Sequence, residues 1–201
     1  MTTYPRLTQD NPPHDYSSPY RWLHWTIATG CITLLIAGQQ FNLPLSDAYR
    51  SAGLRYHSTI GTVVLVCALY LFFKRFIRRD TRPNHNLPML KRLIATGVHL
   101  ALYSLAILIP LTGLLTAYYA ELPVLLLGLF DISGYATDNA LYTQIRRVHE
   151  LATLLAMALL VAHVGAAIYH HRIQKDRVLS AMVDIDYYAE KWRVLRRKLR
   201  R

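Results

Sequence analysis

Four stretches of this chain contain no Asp, Glu, Lys or Arg: Trp22 to Ser46, Tyr56 to Phe73, Leu93 to Ala120 and Leu151 to His171. The hydrocarbon layer of a bilayer is about 30 Å thick and a helix rises about 1.5 Å per residue, so about 20 apolar residues cross it. Backbone amides in lipid find no water and must be satisfied within their own segment, which makes each stretch a helix. The pattern predicts four membrane spans.

Composition agrees. The chain is 53% apolar and only 17% charged, yet it carries 23 Lys+Arg against 12 Asp+Glu. A soluble domain is nearer a quarter charged, and a nucleic-acid binder with this excess of base is not so apolar, so no nucleic-acid partner is expected. The apolar content also excludes disorder. Cys31 and Cys67 both lie inside apolar stretches and cannot build a disulfide scaffold or a cysteine zinc site. The first stretch follows some twenty mostly polar residues, is too long for a secretory core and ends without a small-residue cleavage pattern. It is expected to stay as an anchor.

The basic residues set the orientation. Lys74, Arg75, Arg78, Arg79, Arg82, Lys91 and Arg92 lie between stretches two and three, ten more lie from Arg172 to Arg201, and Arg6 and Arg21 precede the first span. The other two connections hold only Arg50, Arg55, Arg146 and Arg147. The positive-inside tendency then puts both termini and the second connection in the cytoplasm. The third connection is apolar from Leu122 to Phe130, too short to cross, and reads as an interfacial or re-entrant segment on the outer side. The tail, ending in WRVLRRKLRR, reads as an amphipathic helix drawn to anionic lipid at about 1 kcal/mol per basic residue. The expected fold is all-α: an integral membrane four-helix bundle with an amphipathic C-terminal tail helix. Its divisions are a cytoplasmic segment 1–19, a transmembrane domain 20–172 and a basic cytoplasmic tail 173–201.

Ionisable side chains at membrane depth are costly and mark function. His24, His57, His99, His149 and His163 fall within or at the ends of the apolar stretches, with His170 and His171 at the last boundary. A lone membrane histidine is more often a hydrogen-bonding group between helices than a ligand; a set of five is harder to explain that way. His24 sits about one turn above the cytoplasmic edge of span one, and His57 about one turn below the outer edge of span two. On span four, His149 lies near the outer end and His163 near the inner end. Fourteen residues is about 21 Å of helix and within about 40° of four full turns, so both rings leave one face.

Depth thus matches His57 with His149 near the outside and His24 with His163 near the inside. Facing imidazoles from different helices in an apolar bundle are what six-coordinate haem requires. Zinc needs about four donors converging on one point, and these histidines are split between two depths with no carboxylate joining them. Haem propionates need cations near water, and guanidinium forks suit carboxylates. Arg55 precedes His57 by two residues, Arg146 and Arg147 precede His149 by three and two, and Arg21 precedes His24 by three. An arginine at a span end is more often an interface anchor. Gly30, Gly38, Gly61, Gly97, Gly113 and Gly165 allow close approach of a macrocycle, or simply of another helix. His99 sits two turns into span three from the inner side and competes with His24 and His163 on depth. It is open to a ligand role, a propionate contact, or a quinone or proton site.

Several motifs have a family resemblance. RWLHW opening span one, YH followed by GTVVL in span two, GVHLALY in span three, and the VHE and AHV histidines of span four followed by KDRVLSAM resemble the prokaryotic cytochrome b561 family. The apolar connection with GLFDI does too, and the likeness runs from about Tyr20 to Met182. The resemblance implies a four-helix integral cytochrome with two b-type haems and His24, His57, His149 and His163 as axial ligands, which disfavours His99. It also implies electron exchange with the quinone pool at the inner membrane of a bacterium, as part of a respiratory chain. Related di-haem subunits of hydrogenases and formate dehydrogenases share the plan, so a subunit of a larger complex is an alternative.

The expected mechanism is a one-electron relay from a donor through two haems to an acceptor, ubiquinone or a soluble protein. Both axial positions being filled, the iron has no open site for oxygen or peroxide. No glycine loop for a nucleotide is present, so a flavin or nicotinamide partner belongs to another protein. Tyr56, Tyr103, Tyr118, Tyr119, Trp22 and Trp25 could line a quinone pocket, although interfacial aromatic belts explain most of them. The rivals from other classes are a haemless transporter, which lacks the expected repeated halves here, and a passive anchor that docks a peripheral enzyme on its basic face.

Overall fold

The computed structural model describes residues 18–74, 88–120, 123–134, 139–176, 179 and 181–183. Nearly all of the predicted N-terminal segment, most of the basic second connection and most of the predicted tail lie outside the described residues. Among the described residues there are four α-helices: α1 Ser18–Gly38, α2 Asp47–Phe72, α3 Met89–Tyr118 and α4 Asn139–Tyr169. Three segments, Asp47–Phe72, Met89–Tyr118 and Ala140–Gln174, are long and apolar enough to cross a membrane. The 21 residues of α1 make a rod of about 30 Å. Ile36, Val66, Leu108, Leu151 and Val161 stand exposed on the outer faces of these helices. A continuous apolar exterior of this kind is what a bilayer covers.

The helices do not coincide with the charge-free stretches, for local reasons. α1 stops at Gly38 and passes through a 3₁₀ turn, Gln39–Asn42, to an extended Leu43. Leu43 precedes Pro44, and the proline ring disfavours helical backbone there. α2 begins at Asp47, well before Tyr56, with its acidic residue in the first turn where the helix dipole favours it. α4 begins twelve residues before Leu151 and carries its charges on helical turns, where Arg146 Nε meets Glu150 Oε1 at 2.8 Å in an i,i+4 pair. Absence of charge marks the lipid-embedded part of a helix, not its ends.

Close backbone approaches run α1 to α2, α2 to α3 and α3 to α4. α2 is central: Val64, Leu65, Ala68 and Leu71 form a buried stripe at helical spacing. Gly30 of α1 rests directly on it, since a Cβ at Gly30 would lie 2.5 Å from Val64 Cγ2. Val64 is β-branched and nearly fully buried, so it has little room to yield. Gly30→Ala is therefore expected to cost about 1–3 kcal/mol through overpacking. Thermal denaturation in detergent should show that loss, and Val64→Ala in the same chain should recover most of it.

At one end of the bundle the apolar third connection is a short antiparallel hairpin, β1 Leu125–Leu126 with β2 Phe130–Asp131. The sequence reading gave an interfacial or re-entrant piece without this fold. Two local features favour the reversal: Leu127 and Gly128 both adopt positive φ, 52° and 71°, and Gly128 tolerates that at no steric cost. The hairpin is tied down by Ser58 Oγ of α2 donating to Leu125 O at 3.1 Å and by Gly134 N donating to Tyr118 O at 2.8 Å. At the opposite end α4 runs into a π turn, His170–Gln174, closed by Lys175 in the left-handed region and by a His170–Asp176 contact. Trp25 Nε1 of α1 donates to Met182 O at 3.2 Å, which fastens the segment after α4 back onto α1. Ala181 is fully buried.

Candidate functional site

α4 presents its two histidines to different helices at different levels. At the hairpin end the His149 ring stands opposite His57 of α2, with centroids 6.4 Å apart and an interplanar angle of 65°. At the terminal end the His163 ring stands opposite His24 of α1, again at 6.4 Å, with an angle of 61°. α4 thus meets α1 and α2 through imidazoles, in a space enclosed by apolar helices. All four rings are half-buried.

Each ring has its own surroundings. Phe41, from the turn after α1, packs edge-on against His57 with centroids 5.8 Å apart, and Gly38 lies just behind the same ring. His57 Nδ1 is buried and has no hydrogen-bond partner. His149 lies close against α3, where a Cβ at Gly113 would come within 3.2 Å of its Cε1. Its Nδ1 is 3.1 Å from Ile109 O and 3.0 Å from Thr112 Oγ1. His24 packs edge-on against Trp25 at 5.5 Å.

His99 belongs to the terminal-end group. Its ring meets His163 edge to face at 5.1 Å, and its Nδ1 bonds to Ala95 O one turn back along α3. Near this group Tyr20 and Tyr103 share a hydroxyl hydrogen bond of 2.9 Å between α1 and α3. Among the described residues, no group of three or more His, Cys, Asp and Glu side chains is arranged to hold a metal ion. The hairpin end holds two of the histidine rings and the terminal end three.

The arginines are placed differently. Arg55 lies under the hairpin, with its guanidinium against the backbone of Gly128, where a Cβ would come within 2.7 Å of Nε. Arg147 is exposed on α4 and Arg21 half-exposed on α1. Arg146 is engaged by Glu150 and Tyr142. A cavity of about 250 Å³ between α1 and α2 reaches His57 and is bordered by Leu34, Gln40, Tyr49 and Ile60. Sequence reasoning missed Thr112 and Ser58. A hydroxyl inside an apolar run, beside Pro110 in the case of Thr112, was the available signal, because such groups bond across helices in membranes.

Comparison with known proteins fits this arrangement. The family described as prokaryotic cytochrome b561 matches residues 15–184. Cytochrome b561 homolog 1 of Escherichia coli (strain K12) is 28% identical over 174 residues, covering 84% of this chain and 96% of that relative. Cytochrome b561 homolog 2 of the same organism is 26% identical over 177 residues, covering 86% and 93%. With the family pattern matched over most of its length, the chain belongs to the prokaryotic cytochrome b561 family, membrane electron-transfer cytochromes that carry b-type haem.

Proposed function

We propose that the chain is a two-haem relay of the bacterial inner membrane, with α1 as a fourth span and both termini in the cytoplasm. In this reading His57 and His149 hold an outer haem, and His24 and His163 hold an inner one. The observation that carries it is the repeated 6.4 Å spacing of two imidazole couples along one helix. Imidazole-to-metal bonds run about 2 Å, so two imidazoles holding one iron between them would have ring centres roughly 6 Å apart. The buried, unpartnered Nδ1 of His57 supports the same assignment. An unsatisfied polar atom there costs about 1–3 kcal/mol, and a group entering the slot relieves it. By the same measure His99 and His163, at 5.1 Å, are too close to flank one iron.

Haem, when bound, would supply a one-electron iron couple, held by His57 with His149 and by His24 with His163. The protein supplies the rest. The four imidazoles are neutral donors on three different helices, so the slots exist only when the bundle is packed. The apolar helices exclude water and lower the local dielectric. Arg55 and Arg147, at the levels of His57 and His149, and Arg21, one turn from His24, are the proposed partners of propionate carboxylates, and His99 is a further group proposed for the inner haem. The quinone pool is the proposed exchange partner, reached from within the bilayer, with a second redox protein at the other face.

The test is a purified, detergent-solubilised protein from haem-replete cells. It is expected to be red, with the reduced-minus-oxidised spectrum of low-spin b haem, two haems per chain and two one-electron steps in a redox titration. A short-chain ubiquinone or its quinol should exchange electrons with it. A colourless preparation, or one haem per chain, overturns the two-haem reading.

A further inference from the structure

We infer that Thr112 is a positioning residue for His149: with the Ile109 carbonyl it fixes the imidazole's proton on Nδ1 and leaves Nε2 as the free donor. This rests on His149 being an axial ligand and adds the group that orients it.

Three contacts form a small triangle on α3. Thr112 Oγ1 donates to Ile109 O at 2.8 Å, while His149 Nδ1 lies 3.0 Å from Thr112 Oγ1 and 3.1 Å from Ile109 O. A carbonyl oxygen only accepts. If Nδ1 carried no proton, its lone pair would face that oxygen at hydrogen-bond distance with nothing between them. The hydroxyl has one proton, and the backbone carbonyl takes it. All three contacts are attractive in one arrangement alone: the Thr112 proton goes to Ile109 O, and the His149 Nδ1 proton is shared between Thr112 Oγ1 and Ile109 O. One neutral imidazole has one N–H, so Nε2 is unprotonated.

The local sequence explains why the seat forms here. In Ile109-Pro110-Leu111-Thr112-Gly113, Gly113 lets the ring lie against α3, since its absent Cβ would come within 3.2 Å of Cε1 and 3.6 Å of Nδ1. Thr112 sits one turn beyond Ile109 and bonds back to its carbonyl, a habit of threonine in helices. His57, across the gap, has no such seat: its Nδ1 is without a partner. An imidazole whose distal N–H is held by acceptors is fixed in orientation and is the more basic ligand, so the seat on α3 would make His149 an oriented, electron-rich donor.

A more basic ligand favours the oxidised metal. Thr112→Val keeps shape and removes the hydroxyl; Thr112→Ser keeps the hydroxyl and serves as the conservative control. In the haem-loaded, detergent-solubilised protein, Thr112→Val is expected to raise the midpoint potential of the outer haem by up to the equivalent of a tenfold shift, about 59 mV for one electron. It should also alter that haem's low-spin paramagnetic resonance signal, while the inner haem stays unchanged and Thr112→Ser resembles the parent. An unchanged outer potential and signal in Thr112→Val overturns the inference, as does an equal change at both haems. If Thr112→Val does not accumulate, hyperfine spectroscopy of the exchangeable imidazole protons in the parent protein decides. An outer-haem ligand of α4 without an Nδ1 proton overturns the inference, and a hydrogen-bonded one supports it. If His149→Ala keeps both haems, the ligand reading has failed instead, and the two failures are distinguishable.

Discussion

His149→Ala is expected to lower the haem content of the purified protein from two per chain to one, and His57→Ala to do the same. The two substitutions should remove the same spectral component. Both rings belong to the proposed outer couple, 6.4 Å apart, and one imidazole alone would not hold a low-spin haem. Loss should be nearly complete, because no other histidine among the described residues stands beside this couple. Among the described residues His149 and His57 are the histidines near the hairpin end, while His24, His99 and His163 stand at the other. The remaining haem should keep its potential within a small shift, since about 21 Å of helix separates the two levels. Haem assay against protein concentration, with redox titration of what remains, checks this. Retention of both haems in either variant removes His57 and His149 from the ligand set.

The levels of these histidines were legible because helical rise and period are fixed numbers. Fourteen residues between His149 and His163 determine both their separation and their common face before any neighbour is known. The lateral arrangement was not legible in the same way. Whether His163 turns toward His24 or His99 depends on how α1 and α3 are rotated against α4, and such rotations rest on side-chain packing, as where Gly30 of α1 seats on Val64 of α2. Helix ends were misjudged for another reason. Charges at Asp47, Arg146 and Glu150 interrupt an apolar count, yet they sit comfortably in helical turns near water. The hairpin at Leu125–Asp131 escaped because its sequence is almost uniformly apolar, and only Gly128 hints at reversal. Thr112 was hidden because its partner is a ring on another helix and a carbonyl, groups that sequence spacing does not bring together.

The terminal-end couple gives a sharper result, because three histidines compete there. His163→Ala and His24→Ala are each expected to remove the inner haem and leave one per chain. His99→Leu is expected to keep both. The His99 ring approaches His163 to 5.1 Å, nearer than two rings can stand with an iron between them, whereas His24 stands at 6.4 Å. His99 is also held by its own helix through Nδ1 and Ala95 O, so turning it into the slot would break that bond. Its ring nonetheless touches the ring of a proposed ligand. His99→Leu should therefore shift the midpoint potential of the inner haem and leave the outer one unmoved. If instead His99→Leu loses a haem while His24→Ala keeps two, the inner couple is His99 with His163. α1 then carries no ligand, and the bundle must be rebuilt around α3 and α4 with Tyr20 and Tyr103 as the surviving link to α1.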